Sequence, residues 1–222
     1  MMLMDANGTA SAGTRVAGSV RIVSEIAEFS GLFEDSVNVV VLERPRAQCL
    51  VHDAERAVRD PGARFAIAMA PLAADFSALP AALDGYAHLA ADLLRWMEVL
   101  RDLTGCKLVG VRLARLDAAM CPRFHVDRVA VRAVITFVGS GTEYLASEDV
   151  DRSWLGHAAT HLRDETSGLL RQGAVLRKAA AGDVVLLKGE AWPGNAGRGA
   201  VHRSPSASQA SARLVATLDP LE

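Results

Sequence analysis

The residues in this chain whose types and spacing could do chemistry together are His125 and Asp127, separated by Val126, with His202 and Arg213 far downstream. Residues i and i+2 of a β-strand point to the same face, so on a strand the His125 imidazole and the Asp127 carboxylate can close on one cation. His202 supplies a third ligand. Two histidines and a carboxylate on one face of a divalent ion leave positions open for further ligands, the facial arrangement of non-haem iron(II) centres. Arg213, a permanent cation, is suited to hold a carboxylate, the lesser alternative being a strand-edge charge. An HxD at a strand end matches this pattern by chance, so the weight falls on the surrounding elements.

Those elements form two stretches. Residues 1–20 lack a basic segment followed by an apolar one, are rich in Ala, Gly, Ser and Thr, and read as a disordered tail. Residues 21–222 are then one domain, with 21–106 an N-terminal α/β support. Here 37–42 is strand-like, 50–59 suits a short helix, and 65–69 is an apolar run ended by Pro71. From Ala81 to Thr104, Leu83, Tyr86, Leu89, Leu93, Leu94, Met97 and Leu100 recur every three or four residues. This spacing predicts one long amphipathic helix, stopped by Gly105 and packed on a sheet, with His88 a structural residue in mid-helix.

From Lys107 the period changes to two, and β-branched residues alternate with turn formers. Strands are predicted at 107–116, 122–127, 130–138, 142–145, 174–178, 183–188, 199–203 and 212–218, a pattern that suits a jelly roll. Gly139-Ser140-Gly141 and Ala181-Gly182-Asp183 are turn signals; the first lacks the third glycine of GxGxxG and leads into a strand, which sets the nucleotide-loop reading aside. Residues 147–173 are too long and polar for a hairpin, and 154–170 suits a helical insertion.

Composition narrows the function. Twenty-four basic and 26 acidic residues give a net charge of -2, no electrostatic footprint for nucleic acid or an anionic membrane. The apolar runs are far shorter than the ~20 residues of a membrane helix. With no export signal, a cytoplasmic protein is expected, acting on a small molecule or a protein. Cys49, Cys106 and Cys121 lack CxxC spacing, so reduced thiols are expected, Cys49 and Cys106 as small buried hydrophobes.

Other residues carry two readings each. Cys121, four residues before His125, shares its face on an extended strand but joins the site only if Pro122 turns the chain, and is otherwise a structural thiol. His157 and His161, at i and i+4, could form a second metal pair, but HAATH lacks the glutamate of HExxH and a solvated face or substrate lid is favoured. Trp192, Asn195 and Arg198 lie in a glycine-rich loop before His202, either as exposed turn residues or as a gate beside the metal.

The order of parts resembles the double-stranded β-helix of iron(II)- and 2-oxoglutarate-dependent oxygenases over residues 107–219: His125 and Asp127, then Gly182-Asp183-Val184-Val185-Leu186-Leu187, then His202, then Arg213 eleven residues on. The resemblance implies that His125, Asp127 and His202 bind iron(II) and that Arg213 pairs with the distal carboxylate of 2-oxoglutarate. The blocks Cys121-Pro122-Arg123-Phe124-His125-Val126-Asp127, Lys188-Gly189-Glu190-Ala191-Trp192-Pro193-Gly194-Asn195 and Val201-His202-Arg203-Ser204-Pro205 are also similar to an uncharacterised domain-of-unknown-function family, number 1826. That similarity implies a role in zinc homeostasis. The expected fold is thus mainly β with α support (α+β), a double-stranded β-helix after an α/β segment with one long helix. The expected function is a hydroxylase of this oxygenase type. Two alternatives use the same ligands with Zn(II): a non-catalytic zinc-binding protein and a hydrolase acting through a metal-bound water.

Overall fold

Runs such as Val39-Val40-Val41-Leu42 and Val184-Val185-Leu186-Leu187 are apolar at every position, so both of their faces must be covered. In the computed structural model, which describes residues 14–69, 81–156, 162–205 and 212–222, these two runs pair with each other well inside an eight-stranded sheet. The strands are β1 (Arg15–Ala17), β2 (Val20–Val23), β3 (Val39–Leu42), β4 (Phe65–Met69), β5 (Leu108–Leu116), β6 (Val131–Val138), β7 (Glu143–Leu145), β8 (Arg177–Lys178), β9 (Val184–Lys188), β10 (Val201–Arg203) and β11 (Arg213–Leu221). The large sheet has the order β1-β2-β3-β9-β6-β11-β5-β4, and a small sheet the order β10-β7-β8.

Alternation along these strands divides the core. On one face Val40, Leu42, Val111, Leu113, Ile135, Leu186 and Leu218 share a cluster with helix α1 (Gln48–Ala57) and helix α2 (Ala87–Thr104). On the other, Val39, Val41, Val134, Val185, Leu187 and Val215 meet Tyr144 of the small sheet together with Ala146, Ala179 and Ala200. A third cluster, Phe124, Leu145, Val150, Leu169 and Val201, backs the small sheet with the excursion after β7. The result is an α+β double-stranded β-helix with helices on its outer face.

Several expectations change. Residues 14–20, assigned to the tail, enter a β1–β2 hairpin, and β2, β3 and β4 join the same sheet as the jelly-roll strands, so the sheet runs through the division placed at residue 106. The long helix starts at Ala87: Gly85 adopts φ 83, and residues 81–83 make only a short 3-10 turn. The buried carboxylate of Asp53 accepts from the His88 and Leu89 backbone N–H groups at 2.9 and 3.4 Å, capping the helix there. His88 is therefore an exposed first-turn residue. Among the described residues of 154–170 no α-helix forms, only the end of a 3-10 turn over Arg152–Trp154; His157 and His161 lie outside the described residues. Cys49 and Cys121 are exposed and Cys106 half-buried, because Cys49 lies off the α1 stripe of Leu50, Ala54 and Ala57. All three cysteines are free. Among the described residues no helix is long and apolar enough to cross a membrane.

Candidate metal centre

The expected strand over 122–127 is replaced by a single bridge. Pro122 has no N–H to give a ladder, and the Phe124 N–H is taken by the buried Asp164 carboxylate at 2.9 Å, which also pairs with Arg123 at 2.6 Å. The chain pairs with β10 through His125, which exchanges two 3.0 Å backbone hydrogen bonds with His202. A directly opposed pair puts its side chains on one face, and the two imidazole rings stand 4.4 Å apart.

Each imidazole is set to use the same nitrogen. His125 Nδ1 lies 2.9 Å from the Arg123 carbonyl, and His202 Nδ1 3.1 Å from the Ala200 carbonyl. A carbonyl only accepts, so each Nδ1 carries the proton and each Nε2 presents a lone pair, the arrangement of metal-binding histidines. His125 Nε2 is 3.8 Å and His202 Nε2 3.5 Å from the Asp127 carboxylate. Ligands on adjacent positions of an ion at about 2.1 Å stand about 3 Å apart, so these gaps close with movements under about 1 Å. Among the described residues, no other group of three or more His, Cys, Asp or Glu side chains converges this way.

Burial, and then the neighbouring His125, push His202 down from 6.5 to about 4, which leaves it neutral and competent as a ligand at pH 7. The unfolded imidazole binds its proton near 6.5 and the folded one near about 4. The unfolded chain therefore carries the extra proton between those values. The metal-free protein is expected to lose stability as the pH falls from about 6.5 towards about 4; thermal melts that stay flat across that window would contradict this environment for His202.

Asp127 is fixed from behind by the Lys188-Gly189-Glu190-Ala191 segment. Glu190 N–H donates to the Asp127 carbonyl at 2.9 Å, Gly189 N–H to Ala130 at 2.8 Å and Ala191 N–H to Val129 at 3.2 Å. The approach is so close that a Cβ on Gly189 would stand 1.9 Å from the Val129 carbonyl oxygen and 2.9 Å from that of Asp127. Gly189→Ala must displace this backbone, and a manganese(II) titration is expected to show affinity reduced about 10- to 100-fold, the usual effect of disturbing what orients a ligand; wild-type affinity would show that the segment does not set the site.

Arg213 opens β11 and lines the same cavity, of about 80 Å³, as His125 and His202. Its Nε donates to the Ser140 carbonyl at 2.6 Å and its Nη2 to Thr136 Oγ1 at 3.3 Å. The Gly139-Ser140-Gly141 turn exists in this form to pass the arginine: Gly139 has φ 86, and a Cβ there would meet Arg213 Cγ at 2.8 Å. Arg213 is 8 % exposed, and burial lowers its pKa, yet guanidinium stays charged. Among the described residues no carboxylate pairs with it. Glu143, the acid that acts on it, is engaged by Arg203 at 2.8 Å. A buried cation lacking an anion is costly unless a ligand completes it.

The remaining candidates separate. Cys121 lines the cavity but stands outside the converging group. Trp192 packs edge-on against Phe33 and under the Lys188 ammonium, in a different groove of about 830 Å³. Asn195 is 1 % exposed and donates to the Gly189 carbonyl; Arg198 donates to Gly194 within its own loop. None of the three lines the cavity shared by His125, His202 and Arg213. Arg132, Asp164, Thr136 and Asp219 hold the site and went unnoticed, since their contacts span up to 87 residues of sequence.

Two solved structures share this architecture. The dioxygenase for auxin oxidation of rice is 17 % identical, with 88 % of this chain and 78 % of that one covered and a TM-score of 0.52. The dioxygenase for auxin oxidation 1 from Arabidopsis thaliana, in complex with 2-oxoglutarate, is 9 % identical, with 92 % of each chain covered and a TM-score of 0.51. At these identities the likeness is one of fold. None of the curated proteins matches the chain. The family model described as protein of unknown function DUF1826 matches residues 24–219, a span that takes in both sheets from β3 to β11 and the whole converging group, and the chain belongs to that family.

Proposed function

We propose that this protein is an iron(II)- and 2-oxoglutarate-dependent oxygenase that hydroxylates a small molecule or a protein side chain. The observation that carries the reading is Arg213, a buried guanidinium without a carboxylate partner, facing the same small cavity as two imidazoles with free Nε2 atoms. A dianionic keto acid completes both ends of that cavity. In this reading His125, Asp127 and His202 hold the metal, and Arg213 takes the distal carboxylate of 2-oxoglutarate. The bound iron supplies the oxidation chemistry, with 2-oxoglutarate as the co-reductant of dioxygen.

The chain's own residues bind, orient and exclude water. Thr136 and the Ser140 carbonyl fix the Arg213 fork, so the cosubstrate meets a preset donor rather than a mobile one. Leu116, Val134 and Val215 line the cavity with apolar surface. The shared fold with the 2-oxoglutarate complex of the Arabidopsis dioxygenase supports the reading. The converging group contains no thiol, the feature that would have favoured zinc handling. Iron(II) protein supplied with 2-oxoglutarate and oxygen should release succinate slowly even without its substrate. Tight zinc binding with no succinate and no 2-oxoglutarate binding would replace this reading with the zinc-binding one.

A further inference from the structure

Asp127 is gripped by a residue outside the ligand motif. Arg132, on β6, donates from Nη1 to Asp127 Oδ2 at 2.9 Å. Its Nε and Nη2 donate to the two oxygens of Asp219, on β11, at 2.7 and 2.8 Å. One flat guanidinium thus joins two carboxylates in a fixed plane, with Asp219 held by the paired fork that only arginine offers.

This geometry bears on how Asp127 can bind a metal. A carboxylate with both oxygens free can chelate an ion, whereas here Oδ2 is already engaged and Oδ1 is the less encumbered ligand atom. Two imidazole nitrogens and one carboxylate oxygen fill three of about six positions around an octahedral ion, and a chelating Asp127 would fill a fourth. Charge matters equally. Alone, the Arg132 cation would neutralise Asp127 and repel a divalent ion. Asp219 restores the balance, since two carboxylates and one guanidinium leave the Asp127-Arg132-Asp219 chain with the single negative charge that Asp127 would carry by itself.

We infer that Arg132, locked by Asp219, is a positioning residue that holds Asp127 to one ligating oxygen and keeps the remaining metal positions open. The inference rests on the metal-centre reading above and concerns this chain's residues alone. Cobalt(II) titration of the metal-free protein, followed by visible absorption, tests it without turnover, because the band intensity of cobalt(II) reports its coordination number.

Asp219→Asn keeps the shape and removes the charge; it is expected to weaken cobalt(II) about tenfold. Arg132→Lys keeps the charge and loses the fork; it is expected to change the cobalt(II) spectrum as Asp127 swings to chelate. Arg132→Gln, which loses the charge as well as the fork to Asp219, should change the spectrum at least as much. Folded variants, checked by thermal melts, that all show wild-type affinity and spectrum would reduce Arg132 and Asp219 to an ordinary ion pair and overturn the inference. A wild-type protein that binds no cobalt(II) would instead overturn the metal centre itself.

Discussion

Asp127→Ala is expected to abolish metal binding and, with it, succinate release. Asp127 is the only anion among the three converging ligands, so its loss removes both a bond and the charge that offsets a divalent ion. It also leaves the Arg132 guanidinium, now tied to Asp219 alone, facing the cation site. The effect should exceed the roughly 10- to 100-fold cost of disturbing a residue that merely orients a ligand. The fold should survive, because Asp127 stands on a loop whose backbone is held by Glu190 rather than by its own side chain. Isothermal titration with manganese(II) and a thermal melt on the same sample would check both halves; metal affinity within about tenfold of wild type would exclude Asp127 as a ligand.

Arg213→Met separates the cosubstrate from the metal. If the guanidinium completes a carboxylate in a buried cavity, truncating it costs on the order of 2–5 kcal/mol of binding, at least about a 30-fold loss of 2-oxoglutarate affinity. Metal affinity should stay near wild type, since the arginine touches none of the three ligands. The cofactor-free protein carries this cation buried and without a carboxylate partner among the described residues. Replacing it with an apolar side chain of similar length should therefore leave the melting temperature unchanged or raise it. A variant that loses stability and metal affinity together would make Arg213 a structural residue of the β11 start.

The converging group of His125, Asp127 and His202 was legible because chemistry restricts which residues can hold a metal and because i, i+2 spacing suggests one face for His125 and Asp127. The strand invoked to carry them was not legible correctly. The segment 122–127 is tied by the Asp164 side chain, 40 positions from Phe124, and by the bridge to the far-downstream His202, contacts that leave no local period. Arg132 and Asp219 stayed hidden for the same reason, as two ordinary charges on two strands until the sheet aligned β6 with β11. Gly189 illustrates the converse. It reads as one more glycine in a loop, and only the 1.9 Å approach to the Val129 carbonyl shows that its missing side chain is what lets the loop reach Asp127. The apolar periodicity of α2 and of the jelly-roll strands was readable because burial repeats locally along each element. Its starting point was not, being set by the Asp53 carboxylate of a different helix.

The central claim is that one cavity holds a metal at His125, Asp127 and His202 and a keto acid at Arg213. The direct measurement is anaerobic titration of iron(II) protein with 2-oxoglutarate, read by the visible metal-to-ligand charge-transfer band that appears only when the keto acid chelates the iron. The account predicts a saturable band in the wild type, none in Asp127→Ala, and one shifted to much higher 2-oxoglutarate concentration in Arg213→Met. Iron-loaded wild-type protein that shows no band at millimolar 2-oxoglutarate would contradict it.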